Sequence, residues 1–145
     1  MMNWFKRYIV AGSFLLLLSF PNASAQETAE EMIQDYLDFA TYEAGIIMPA
    51  QLTEDVFHDF VFIDTRDEEQ FETETIPGAI NIEWREILLN KDELPEGKKL
   101  VLFCNTGTLS AQAMLALRLV GNENALALQT GIKVWLADAP YKPVN

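Results

Sequence analysis

The stretch Leu100 to Val120, LVLFCNTGTLSAQAMLALRLV, constrains this chain more than any other. It opens on four apolar residues of strand type, Leu100 to Phe103, and closes on Ser110 leading an apolar helical run, Ala111 to Val120. The first reads as a strand buried on both faces, the second as a helix buried on nearly all sides. Between them lies a six-residue loop, Cys104-Asn105-Thr106-Gly107-Thr108-Leu109, headed by the only cysteine in the sequence. A strand that delivers a thiol into a tight loop and then a helix makes an anion pocket. Backbone N–H groups at the helix start, and in any nest the loop forms, converge on the sulfur. The same field lowers a thiol pKa from about 8.5 toward the roughly 3.5–7.5 range of reactive cysteines. The pattern points to sulfur chemistry.

Around this centre, strand patterns alternate with helical ones. Phe60 to Asp64 (FVFID) is a continuous apolar run ending in a carboxylate, followed by the acid-rich helix start of Thr65 to Phe71. Asp64 and Arg66 then sit at the carboxyl end of a parallel strand, the edge where α/β sheets hold their ligands. Ile80 to Ile82, after the Ile76-Pro77-Gly78 turn, and Ala125 to Leu128 add further short strands, and Gly45 to Met48 is a short apolar run. Pro49 suits the first turn of a short helix over 49–56, and residues 83–90 read as helical. Arg118 suits the end of the central helix, Gly121-Asn122 stops it, and Thr130-Gly131 turns the chain into a last short helix carrying Trp135. The fold class is α/β: a central parallel sheet of about five short strands with helices on both faces.

The N-terminus stands apart. Lys6 and Arg7 precede the apolar run Ile9 to Phe20, Pro21 breaks it, and Ala23-Ser24-Ala25 has the small-x-small pattern of a cleavage site. The run is short of the roughly 20 residues a membrane span needs. The expected organisation is a signal peptide over 1–25, a helical extension over 26–44 and one domain over 45–145, in an exported, periplasmic protein. Within the extension, Thr28 and Glu31 have capping-box spacing, and Ile33, Tyr36, Leu37 and Ala40 recur at helical intervals. This amphipathic helix is expected to pack on its own domain.

Charge and rare residues exclude several functions. Loss of Lys6 and Arg7 would take the formal net charge from −12 to −14, which repels nucleic acid and anionic membranes alike. A single cysteine permits no internal disulfide. His58 is the only histidine, lies in DVFHDF, and has no second ligand of its type, so neither a metal nor a cofactor is expected.

The succession FVFIDTRDEEQF, IPGAINI, LVLFCNTGTLSAQAMLAL and ALALQTGIKVW resembles a single-domain rhodanese, in that order and with rhodanese spacing, over about Gly45 to Asn145. The resemblance implies sulfurtransfer. Cys104 would be the nucleophile that takes the outer sulfur of a thiosulfate-like donor, then passes it to cyanide, a small thiol or a protein thiol. Backbone N–H groups of Asn105, Thr106, Gly107, Thr108, Leu109 and Ser110 would cradle the persulfide. Asp64 and Arg66 match the family's Asp-x-Arg, as a brace for the site or as plain structure. Leu109 departs from the arginine of Cys-x-x-Gly-x-Arg-Ser and removes a positive charge from the loop. Thr75 stands where a histidine commonly precedes Ile-Pro-Gly-Ala, and Thr130 replaces the first glycine of a Gly-Gly turn. Both read as tolerated structural changes.

Three other readings compete, one of them a thiol-disulfide exchanger, which lacks the second cysteine of a Cys-x-x-Cys motif and would need glutathione or a partner thiol to resolve it. A phosphatase loop needs an arginine to grip the oxyanion where this chain has Ser110, which argues against that chemistry. A catalytically weak rhodanese-like binding module would instead use the acidic surface and the 28–40 helix to dock a protein partner.

Overall fold

The computed structural model describes residues 28–144; the expected signal segment, 1–25, lies outside the described residues. Among the described residues five strands form one sheet: β1 (Ile46–Ile47), β2 (Phe60–Asp64), β3 (Ile80–Asn81), β4 (Lys99–Phe103) and β5 (Ala125–Leu128). Their order is β1-β5-β4-β2-β3 and every pairing is parallel. Five helices accompany them: α1 (Ala29–Phe39), α2 (Glu54–Phe57), α3 (Glu68–Thr73), α4 (Thr108–Leu119) and α5 (Gly131–Asp138). The chain is α/β, as its pattern indicates.

The continuous apolar run of β4 puts it at the middle of the sheet, where both faces are covered. Its neighbours run from Phe60↔Lys99 to Asp64↔Phe103 on one side and from Leu100↔Ala125 to Leu102↔Ala127 on the other. Alternate side chains feed two cores. Val101 and Phe103 join Phe57, Phe62, Leu128, Ile132 and Trp135, while Leu100 and Leu102 join Ile63, Ala113, Met114 and Leu117. All four residues from Leu100 to Phe103 are fully buried, each contributing about 1.5–3 kcal/mol of apolar transfer. Trp135 is core, as expected of it.

Four segments differ from their sequence patterns. The 49–56 helix is split into a 3-10 turn, Pro49–Gln51, and α2, because Leu52 drops fully into the core between them. Residues 83–90 hold only a 3-10 turn, Trp84–Glu86. The chain entering that turn is drawn to the β2 edge, where the Ile82 and Trp84 N–H groups donate to the Asp64 and Thr65 carbonyls at 3.0 Å each. Helix α4 begins at Thr108, so the cysteine loop is only Cys104–Gly107, and Thr108, Leu109 and Ser110 are its first turn. That helix is buried along one face (Ser110, Ala113, Met114 and Leu117), with Gln112 and Val120 exposed.

Helix α1 carries the expected capping box but buries none of its residues. It touches α4 on its outer side, where the Arg118 guanidinium lies 5.8 Å from the Tyr36 ring centroid. Leu37 and Phe39 are left exposed.

Candidate active site

Cys104 follows the last residue of β4, at the carboxyl edge of the sheet. Its carbonyl accepts a hydrogen bond from Ile132 N–H at 2.9 Å, and the Asn105 carbonyl accepts one from Lys133 N–H at 3.4 Å. The N-terminus of α5 therefore clamps the loop from behind. The approach is so close that only glycine fits: a Cβ on Gly131 would collide with the Cys104 carbonyl oxygen and stand 2.6 Å from the Asn105 carbonyl carbon. Gly131 is left-handed at φ +65°. Thr130 is also left-handed, at φ 65°, in a region that costs a non-glycine residue about 1–2 kcal/mol. Its hydroxyl donates to the Gln129 carbonyl. The threonine thus keeps the glycine's conformation under strain.

The loop then wraps the sulfur. Gly107, at φ +91°, turns its N–H to the Cys104 Sγ at 3.2 Å. The Ser110 hydroxyl lies 3.8 Å from the sulfur and 3.1 Å from the Gly107 carbonyl, and its single proton serves one of them at a time. Burial pushes the Cys104 thiol up, but the backbone N–H groups of Ser110, Thr106 and Leu109, with the Ser110 hydroxyl, outweigh it. The net effect holds the thiol below its ordinary value. The residue is 3% exposed.

A buried ion pair braces one side. Arg66 Nε donates to Asp64 Oδ1 at 2.9 Å and Nη2 to Oδ2 at 2.6 Å, with both side chains buried. Nη2 also reaches the Glu74 carbonyl at 2.5 Å, and Nη1 reaches Asn105 Oδ1 at 3.4 Å. Hydrogen bonding to Asp64 raises the Arg66 pKa further. A charge pair this deep is tolerable because its remaining lone pairs are used. The Thr75 hydroxyl donates to Asp64 Oδ2 at 2.8 Å, and Asn81 Nδ2 donates to the Asp64 and Arg66 carbonyls at 3.0 and 2.9 Å. Asn105 Nδ2 in turn donates to Gln70 Oε1 at 2.6 Å, tying the loop to α3.

Thr75, Gln70, Asn81 and Gly131 belong to the site's frame although their chemistry gave no early sign of it. The available signals were the place of Thr75 directly before Ile-Pro-Gly-Ala and that of Gly131 in the turn before the last helix. Phe103 and Thr65 complete the junction: Thr65 N–H and Oγ1 donate to the Phe103 carbonyl at 2.8 and 2.9 Å.

The sulfur lies at a cleft of about 270 Å³ lined by Thr65, Arg66, Asp67, Gln70, Glu83, Trp84, Arg85, Cys104, Asn105, Thr106 and Leu109. Larger hollows lie elsewhere, one of about 460 Å³ around Lys91–Lys98 and Val120–Asn124 and one of about 520 Å³ between α1 and α4. Neither is lined by Cys104. His58 stands away from the cleft, edge-on to Phe57 and Tyr141. Among the described residues no His, Cys, Asp or Glu cluster has the arrangement of a metal site, and no helix is long and apolar enough to cross a membrane.

A family model described as a rhodanese-like domain matches residues 48–138. The probable adenylyltransferase/sulfurtransferase MoeZ of Mycobacterium tuberculosis is 35% identical over 99 residues, which cover 64% of this chain and 25% of that protein. The chain spans no more than a quarter of the length of the curated relatives it matches. A rhodanese-related protein of Thermoplasma volcanium superposes with a TM-score of 0.61 at 24% identity, over 69% of this chain and 98% of that one. The human single-domain sulfurtransferase TSTD1 does so with a TM-score of 0.56 at 23% identity, over 66% and 97%. At such identities the two structures speak for the fold.

Proposed function

The chain belongs to the rhodanese-like family, and on that footing we propose that it is a sulfurtransferase working through a persulfide on Cys104. The observation that carries this reading is the pairing of a thiol held below its ordinary pKa with a loop whose N–H groups turn toward the sulfur. Cysteine is a strong nucleophile once ionised, and converging dipoles stabilise thiolate and anionic persulfide alike, so no separate base is needed.

In the first step the Cys104 thiolate attacks the outer sulfur of a thiosulfate-like donor. A sulfur–sulfur bond forms to the protein, the donor's own sulfur–sulfur bond breaks, and sulfite leaves with the electron pair. In the second step cyanide or a thiolate attacks the outer sulfur of the persulfide. The new bond carries that sulfur away, and the Cys104 thiolate is regenerated with the electron pair. The backbone from Asn105 to Ser110 cradles the persulfide, and Asp64 with Arg66 holds the loop in place. A protein thiol is a further acceptor. The basic and apolar N-terminal pattern, with Ala23-Ser24-Ala25, supports export and work in the periplasm.

One feature favours a second reading: the exposed Leu37 and Phe39 of α1 suit a binding module that docks a protein partner. The test is thiocyanate production from thiosulfate and cyanide, beside a Cys104→Ser control, with mass spectrometry for one added sulfur on Cys104. Turnover abolished by the control is expected. The absence of both turnover and a sulfur adduct would sink sulfurtransfer and favour the module.

A further inference from the structure

The cleft holds two cationic side chains, and they are not equivalent. All three side-chain nitrogens of Arg66 are committed, to Asp64, Glu74 and Asn105. Arg85 uses only Nε, which donates to Glu83 Oε1 and Oε2 at 3.0 and 3.1 Å. Its Nη1 and Nη2 make no hydrogen bond among the described residues, and its side chain is 73% exposed.

The turn that carries Arg85 is not a loose surface segment. Trp84 N–H holds the Thr65 carbonyl, and Thr65 holds the Phe103 carbonyl just before Cys104. Glu83 also accepts from the Arg85 backbone N–H at 3.0 Å, so its carboxylate sets both the backbone and the guanidinium of its neighbour. The acids facing the cleft are Asp67 and Glu83, and each already accepts hydrogen bonds at both oxygens. Asp67 takes them from Gln70 N–H and Nε2, Glu83 from Arg85. Asp64 is paired beneath Arg66. Leu109 offers the cleft no charge.

We infer that the Arg85 guanidinium, held at Nε by Glu83, is an anion-binding fork for the oxyanion end of the sulfur donor. Nη1 and Nη2 present two parallel donors, the geometry that grips two oxygens of a sulfonate-like group at once. The donor's outer sulfur then points inward to Cys104. This site restores, from the turn after β3, a positive charge that the cysteine loop itself lacks. The inference rests on the sulfurtransfer reading for the identity of the anion, and on the fork alone for its binding.

The experiment separates the two. Thiosulfate is titrated by calorimetry into the full chain carrying Cys104→Ser, which removes the chemistry and keeps the fork. Saturable binding is expected, weakened about tenfold by Arg85→Gln and less by Arg85→Lys, because charge without the fork recovers only part of a bidentate grip. In the chain with Cys104 intact, Arg85→Gln raises KM for thiosulfate by about the same factor. Discharge of a preformed persulfide by cyanide, which has no pair of oxygens for the fork to grip, changes less than KM for thiosulfate does. Equal thiosulfate binding with and without Arg85 would overturn the fork. Weakened binding in a chain that never gains sulfur on Cys104 would uphold it while removing the sulfurtransfer reading.

Discussion

Helices α1 and α3 close their own N-termini; α4 and α5 do not. In α1 the Thr28 hydroxyl accepts from Glu31 N–H at 3.2 Å and the Glu31 carboxylate takes Thr28 N–H at 2.9 Å, so two orphan donors are satisfied in place. In α3 Asp67 accepts from Gln70 N–H at 2.9 Å. The residues at the head of α4 and α5, Gly107 and Thr130, give no side-chain cap at all. A missing cap costs a helix about 1 kcal/mol. Here the open N–H groups are not left unused: those at α4 face the sulfur, and those at α5 hold the carbonyls of Cys104 and Asn105. Of these four helices, the two left open are the two whose N–H groups turn to the cysteine loop.

The most forceful way to break this contrast is at α5. Gly131→Ala places a Cβ against the backbone of the cysteine loop, at a left-handed φ. A loss of about 2–4 kcal/mol in urea unfolding is expected, together with loss of sulfur transfer. A variant within about 0.5 kcal/mol of the parent would show that the clamp is loose.

At α1 the effect is smaller and stays local. Thr28→Ala removes a cap worth about 1 kcal/mol to the helix, visible as faster amide exchange over the first turn. The pH profile of Cys104 alkylation should not move, and movement would mean that α1 is coupled to the site.

The open end of α4 is read by pH. Because the native thiol is held below its ordinary value, the folded chain binds fewer protons than the unfolded one between the native pKa and about 8.5. The stability this gives is complete above the unfolded value and fades as pH falls through the native one. Alkylation of Cys104 by iodoacetamide should plateau at a lower pH than in a denatured control. Matching profiles for the two would remove the electrostatic role of the loop. The smallest change belongs to Ser110→Ala, which takes away a hydroxyl already shared with Gly107 and should raise the alkylation midpoint slightly. A lowered midpoint would assign the serine the opposite sign.

The parts of this arrangement legible in the sequence are those set by continuous apolar patterning. Phe60–Asp64 and Ala125–Leu128 are strands at the bounds their runs suggest, and Leu100–Phe103 lacks only Lys99 of β4. Periodicity fails where a tertiary contact competes with a local one. Trp84, Ile87 and Leu88 have helical spacing, yet Ile82 and Trp84 give their N–H groups to the edge of β2 and leave a single 3-10 turn. The helix start at Thr108, instead of after a six-residue loop, follows from the left-handed turn at Gly107, which no hydrophobic pattern reveals. Cys104 was legible because of its setting between strand and helix. Of its frame only the Asp64–Arg66 pair was: Thr75 and Gly131 act through one hydroxyl and one missing Cβ, and both come from segments distant from Cys104 in the chain.

The 3% exposure of Cys104 also governs which sulfur atoms it can meet. A disulfide requires two Cα atoms within roughly 7 Å. Two rigid copies of this chain, each with its cysteine at a cleft walled by Trp84 and Leu109, would have to bring those rims into contact before their cysteines could approach so closely. A lone thiol is thereby hindered from joining its twin without any second cysteine. For the proposed sulfur transfer the same rim would sort acceptors by shape: small ions and thiols suit a cleft of this size, while a folded protein would have to offer its thiol on a projecting, extended segment.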